Sequence, residues 1–168
     1  HKSNSQPIQW NSYAALSSSQ ESGRRPSISL RVTAKNSWTV SFSDVKVESE
    51  IGRGAYGVVY KAKWQGIEVA VKQLVLGNED LFSQIQDFLG EAEVMTTLKG
   101  HPNITQLLGV CFEPLCLITE YVDNGSLRSW LLSDKPMDDT EKVHIAKGIA
   151  AGMLYLHGEG IIHRDLAA

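Results

Sequence analysis

Three glycines at G-x-G-x-x-G spacing stand in Gly52-Arg53-Gly54-Ala55-Tyr56-Gly57, followed by Val58-Val59. Glycine at such positions lets backbone N–H groups approach phosphate oxygens with no Cβ in the way. Farther along, Lys72 closes the apolar run Val69-Ala70-Val71-Lys72, Glu91 and Glu93 follow, and Asp165 stands in His163-Arg164-Asp165-Leu166. An ammonium can grip phosphates, and a carboxylate can hold that ammonium charged and oriented. The chemistry these residue types suit is the binding of phosphate groups.

The elements that must carry these groups decide between readings. The glycine pattern alone is shared with dinucleotide-binding folds, where the glycines open a helix. Here they run into Val58-Val59-Tyr60-Lys61-Ala62, a β-branched, strand-like segment, so the expectation is a hairpin folding over a nucleotide as a lid. A plain flexible hairpin is the simpler alternative. A dinucleotide oxidoreductase fails on that strand, and no G-x-x-x-x-G-K-[ST] phosphate loop is present.

Short strands are expected at 45–51, 58–64 and 67–76, with a tight turn at Gln65-Gly66. A strand period of two puts Val69 and Val71 on one side, and Ala70 and Lys72 on the other. If that second side faces a cleft, Ala70 lies flat against a base and Lys72 reaches the α- and β-phosphates. The next segment predicts a helix capped by Asn78, with Glu79 and Asp80 at its positive end and Leu81, Ile85, Phe88, Ala92 and Met95 as its apolar stripe, ending at His101-Pro102-Asn103. At ~100° per residue Glu91 falls on the flank of that stripe and Glu93 points away, so Glu91 is the better partner for Lys72. Strands at 104–112 and 115–122 follow. Next come a short helix at 125–132, capped by Asn124 or Ser126, and a longer one at 138–157 with Val143, Ala146, Ile149, Ala150 and Met153 inward. Consecutive strands joined by tight turns imply an antiparallel sheet and an α+β class.

Glycine loop, strand lysine, helix glutamate and His163-Arg164-Asp165-Leu166 occur in the order of the protein-kinase signature. From about Phe42 to its last residue the chain resembles the protein kinase family. That resemblance implies a protein-kinase-like α+β fold: a five-stranded antiparallel N-lobe sheet with one regulatory helix (42–122), then the first helices of an incomplete helical C-lobe (123–168). It implies ATP and Mg²⁺, and a protein substrate whose hydroxyl receives the γ-phosphoryl. Asp165 matches the catalytic base, with Lys72 and Glu91 beside it in the catalytic set. Ile51 and Val59 match the residues that sandwich the base, and Gly52, Gly54 and Gly57 the phosphate lid. Thr119 matches the position at the back of the adenine pocket, or is simply a β-branched strand residue. Glu120-Tyr121-Val122 matches the hinge that bonds the adenine edge. Ala167-Ala168 resembles the tyrosine kinase pattern, whereas Trp38 with Phe42 and Trp64-Gln65-Gly66 resemble the tyrosine-kinase-like group, so tyrosine and serine/threonine specificity both stay open. A nucleotide-binding pseudokinase or regulatory module is the competing reading, weighed down by the intact Lys72, Glu91, Asp165 and glycines.

Composition fits such a domain without singling out a partner. Among 168 residues, 42% are hydrophobic and 21% charged, and the formal net charge of −3 gives no basic field for nucleic acid. Cys111 and Cys116 lack metal-ligand spacing and sit in apolar runs, which predicts buried free thiols and fits a reducing compartment, hence a cytoplasmic location or the cytoplasmic part of a longer protein. No membrane segment is expected: the most apolar stretch, 148–158, falls short of the ~18 residues a span needs. Residues 1 to about 37, rich in Ser, Asn and Gln, read as a disordered linker before a domain at 38–168. Arg24-Arg25-Pro26-Ser27 within it resembles a basophilic phosphorylation site, or is only a polar stretch holding two arginines. The resemblance also places the metal ligands past Ala168, so the expectation is a fragment inactive alone, poorly soluble because apolar helix faces are bared.

Overall fold

The computed structural model describes residues 38–54, 57–75, 81–134 and 136–166. The linker at 1–37 with its Arg24–Ser27 motif, the Asn78 cap with Glu79 and Asp80, and Ala167-Ala168 lie outside the described residues.

Five strands form one antiparallel sheet: β1 (Val45–Gly54), β2 (Gly57–Trp64), β3 (Ile67–Leu74), β4 (Leu107–Phe112) and β5 (Leu115–Glu120). Their order across the sheet is β1-β2-β3-β5-β4. The β2–β3 hairpin closes at Gln65-Gly66, both with positive φ (50° and 83°), the backbone that matches strand twist in a two-residue turn. Gly66 adopts it without a Cβ penalty. Among the described residues three α-helices accompany the sheet: α1 (Leu81–Thr97), α2 (Leu127–Leu131) and α3 (Asp139–Gly158).

One face of the sheet buries Val45, Ala62, Val69, Val71, Cys111, Cys116 and Ile118 under Val40, Phe42, Tyr60 and Trp64. The other face carries α1, whose Phe88 and Ala92 pack with Leu107, Val110 and Leu117. Burying a side chain as large as Phe88 contributes about 1.5–3 kcal/mol, enough to fix which face of α1 meets the sheet. Upstream, Trp38 and Val40 lie along the outer edge of β4: Val110 N–H donates to Trp38 O (2.7 Å) and Val40 N–H to Val110 O (3.0 Å).

Several boundaries differ from the expectation. Helix α1 stops at Thr97, short of His101, because the Thr96 and Thr97 hydroxyls donate to the Glu93 and Val94 carbonyls and the chain then turns toward α3. Strand β4 begins at Leu107 rather than Ile104: Ile104 is drawn into a separate cluster with Val94, Leu156 and Ile161. Helix α2 is capped by Ser126, whose hydroxyl accepts from Ser129 N–H, and α3 by Asp138 in a capping box with Glu141.

Of the five residues expected inward on α3, Met153 packs with Val94, Leu156 and Ile161, and the other four do not. Val143 and Ile149 are 52% and 41% exposed, and Ala146 and Ala150 are exposed too. The side facing the sheet domain is that of Gly148, Gly152 and Leu156, where two glycines let the helix backbone approach Asn103. An apolar stripe can be read from periodicity, but close backbone approach selects glycine, which a hydrophobic count ignores.

Candidate active site

Register assembles the site. Lys72 of β3 lies between Val59 of β2 and Leu117 of β5, and two residues along, Ala70 lies between Lys61 and Thr119. Cross-strand partners share a face, so Val59, Ala70, Lys72 and Thr119 look toward the side where α1 packs. Val69 and Val71, fully buried, look the other way.

From α1, Glu91 meets Lys72: Nζ donates to Oε2 at 2.6 Å and to Oε1 at 2.8 Å. The side chains are 23% (Lys72) and 12% (Glu91) exposed. A carboxylate that far from water needs a strong partner, and two charge-assisted bonds supply it. Glu93 is exposed. The packing of Phe88 and Ala92 on Val110 and Leu117 is what turns Glu91 toward the sheet.

The glycines sit where β1 and β2 pair, Gly54 opposite Gly57 and Gly52 opposite Val59, with Ala55 and Tyr56 outside the described residues. Beside Gly52, Ile51 is the extra residue of a register shift, 42% exposed. Gly57 is buried, and a Cβ there would strike the Gln73 carbonyl of β3. The spacing therefore has a structural reason besides any ligand. Between the first two glycines, Arg53 clasps Glu50 through two bonds (2.6 and 3.0 Å), which hold the Glu50 carboxyl below its usual range.

At the far end of β5, Thr119 is half-buried and its hydroxyl donates to Glu120 O (3.3 Å). Glu120 is fixed twice to the chain entering β4: its N–H donates to Gln106 O (3.0 Å), and its Oε1 accepts from Gln106 N–H (2.8 Å). Its carbonyl keeps a second lone pair for a ligand. Val122 is 53% exposed. Between them Tyr121 lies with its ring centroid 4.4 Å from Lys61 Nζ, and Lys61 pairs with Glu68 Oε1 at 2.7 Å. The Glu68 hydrogen bond pushes the Lys61 ammonium up from its usual value, against the opposing effect of burial. Nothing in the sequence motifs singles out Lys61, Glu68 and Tyr121 as a group. The Gln65-Gly66 turn is the available signal, because it sets Lys61 beside Ala70 and near Glu68.

Asp165 stands on another element. Ile161, buried, bonds through its N–H to Leu156 O (2.9 Å) at the end of α3 and anchors the segment. Arg164 then takes a left-handed backbone (φ 63°), and Asp165 N–H donates to His163 Nδ1 at 3.4 Å. The structure thus joins Lys72 to Glu91, sets Val59, Ala70 and Thr119 beside them, and holds Asp165 on its own turn. The two thiols are buried and free, facing each other across β4 and β5; sharing a hydrogen with Cys111, and burial, push Cys116 up.

Among the described residues no group of three His, Cys, Asp or Glu could hold a metal ion, and no helix is long and apolar enough to cross a membrane.

Known proteins are similar to this chain in sequence. The chain is 44% identical over 131 residues to a probable serine/threonine-protein kinase of Dictyostelium discoideum, covering 76% of this chain and 14% of that protein. It is 41% identical over 137 residues to the tyrosine-protein kinase Abl of Drosophila melanogaster (78% and 8%), and 45% identical over 120 residues to the serine/threonine-protein kinase VIK of Arabidopsis thaliana (69% and 27%). It therefore spans about a quarter or less of the length of these relatives. Residues 45–168 match the family described as protein tyrosine and serine/threonine kinase, and with most of its length inside that match the chain belongs to that family.

Proposed function

We propose that this chain supplies the nucleotide-binding side of an ATP-dependent protein kinase that transfers the γ-phosphoryl group to a protein hydroxyl. The observation that carries the reading is the Lys72–Glu91 pair, a two-bond ion pair on the sheet face that also bears Val59, Ala70 and Thr119. In this reading residues 38–168 form the domain and 1–37 its linker.

The residues suit ATP. A planar base fits against Ala70 and Val59, with Ile51 at the rim, Thr119 behind, and the Glu120 carbonyl and the Val122 backbone at its edge. Gly52, Gly54 and Gly57 leave room over the phosphates. Lys72, held charged by Glu91, donates to α- and β-phosphate oxygens. ATP supplies the γ-phosphoryl: the substrate oxygen attacks phosphorus, the bond to the ADP oxygen breaks, and the hydroxyl proton passes to Asp165. The family implies Mg²⁺ as well, but the described residues hold no cluster of donors for it, so no step is assigned to it.

The test uses the full-length protein with labelled ATP, Mg²⁺ and a generic acceptor protein. Transfer is expected, and Lys72→Met is expected to lower it by about 10²–10³, the scale for removing one preorganised electrostatic group. Asp165→Asn is expected to keep nucleotide binding and lose transfer. Nucleotide binding by the wild type without any transfer would instead favour a regulatory, non-catalytic role.

A further inference from the structure

We propose that Lys61 is a positioning residue for the nucleotide: anchored on Glu68, its ammonium holds the Tyr121 ring and so fixes the segment after β5 against the central strands. This rests on the ATP-binding reading and adds a residue that none of the kinase motifs contains.

The three groups come from three places. Lys61 is on β2, Glu68 on β3, and Tyr121 comes just after the last residue of β5. Lys61 shares its face with Val59, two residues away, and lies beside Ala70, which in turn lies beside Thr119. The ammonium is 2.7 Å from Glu68 Oε1 and 4.4 Å from the Tyr121 ring centroid, within the range where a cation is drawn to an aromatic face. The neighbouring Lys63 takes a different carboxylate, Glu48, at 3.3 Å. Lys61 is 25% exposed, partly withdrawn from the water that weakens such contacts.

The chain just past Tyr121 is where a latch matters. Val122, Asp123, Asn124 and Gly125 are exposed and outside any helix or strand, while Tyr121 is half-buried. Glu120 is tied to Gln106, on the β4 side of β5, so the strand end is already held from one flank. Lys61 holds the next residue from the opposite flank, that of β2 and β3. The segment 119–122 meets one edge of the base while Val59 and Ala70 meet its faces. Fixing one set against the other preorganises the pocket, so the latch acts on affinity.

Binding of the fluorescent nucleotide mant-ATP to the full-length protein tests this without requiring turnover. Lys61→Met is expected to raise Kd about three- to tenfold, the scale of a partly desolvated cation–π contact. Lys61→Arg, which keeps a cation over the ring, is expected to restore Kd to within about twofold of wild type. Lys61→Met combined with Tyr121→Leu is expected to bind no worse than Tyr121→Leu alone, because Lys61 acts through that ring. An unchanged Kd in Lys61→Met, or losses that multiply in the double variant, overturns the proposal. Should Lys61→Met fail to fold, Glu68→Gln removes the anchor instead and is expected to shift Kd the same way; no shift there overturns it equally. If the wild type binds no mant-ATP, the ATP reading fails. The latch is then judged by the Lys61 ε-CH₂ proton shift, expected to move upfield under the Tyr121 ring current and to return in Tyr121→Leu. Absence of that upfield shift in the wild type overturns it.

Discussion

Lys72 and Glu91 are nineteen residues apart in the chain, on a strand and on a helix, and meet through two hydrogen bonds of 2.6 and 2.8 Å. The sequence between them has no say in that distance except through packing. Phe88 and Ala92 bury against Val110 and Leu117, and the helix rotation this requires brings Glu91 to the lysine. Function and stability are therefore coupled at this pair, and they can be separated. Glu91→Ala deprives a partly buried ammonium of its carboxylate and is expected to cost about 1–3 kcal/mol in urea unfolding. Combining Lys72→Met with Glu91→Leu replaces both charges by apolar groups, which is often neutral. The double variant is expected to recover most of the lost stability while transferring no phosphate. Equal instability of the single and double variants would show that α1 depends on the charges themselves.

Gly57 gives a second prediction. A Cβ there meets the Gln73 carbonyl, which belongs to the β3 backbone and has little freedom to retreat. Gly57→Ala is expected to cost about 1–3 kcal/mol by overpacking and to weaken nucleotide binding with it. Gly90→Ala, in α1 with nothing within 4 Å of the added Cβ, is the control. It is expected to be neutral or to stabilise by about 0.5–1 kcal/mol, since alanine suits a helix better than glycine. Thermal unfolding of both variants checks the contrast; matching losses would mean that glycine spacing in the loop is not sterically required by β3.

The contrast between these sites shows which features are legible in the sequence. Strand alternation separates Val69 and Val71 from Ala70 and Lys72, and helical angle chooses Glu91 over Glu93, because both depend only on local periodicity. The Gln65-Gly66 turn is readable for the same reason. Periodicity cannot supply the docking of one element on another. The early end of α1, the late start of β4 and the buried side of α3 all stem from the 98–104 segment crossing to α3. There Tyr155 Oη accepts from Lys99 N–H (2.9 Å) and donates to Lys99 O (3.0 Å), and its ring stacks on His101. These contacts join residues more than fifty positions apart and leave no pattern in either segment.

That docking yields a third prediction. A Cβ on Gly152 would lie 2.8 Å from Asn103 O and 3.2 Å from Ile104 Cδ1. Gly152→Ala should push α3 away from the segment and cost about 1–3 kcal/mol. Gly158→Ala, at the open end of the same helix with nothing within 4 Å, should not. Amide hydrogen exchange at Lys99, whose N–H is held by Tyr155, is expected to speed up in Gly152→Ala and stay unchanged in Gly158→Ala. Unchanged Lys99 exchange in both would place the docking energy elsewhere.

The edge of β4 supplies the last prediction. A bare edge strand offers unpaired N–H and C=O groups to any passing chain. Here Trp38 and Val40 occupy that edge through their backbones, and Trp38 also packs against the cluster of Phe88, Ala92 and Leu107 that positions α1. Gly109 makes the approach possible: a Cβ there would collide with Val40 Cγ2 and lie 3.4 Å from Trp38 O. Gly109→Ala is therefore expected to expel the 38–40 segment, at about 1–3 kcal/mol, and to raise self-association at the uncovered edge. Val40→Ala removes the colliding methyl, so the pair Gly109→Ala with Val40→Ala is expected to regain most of that stability and to bring self-association back to the wild-type level. Sedimentation velocity and thermal unfolding read both effects. If the second substitution brings no recovery, the glycine serves the irregular pairing of β4 with β5, where the register shifts between Leu107 and Gly109, and not the segment lying over it.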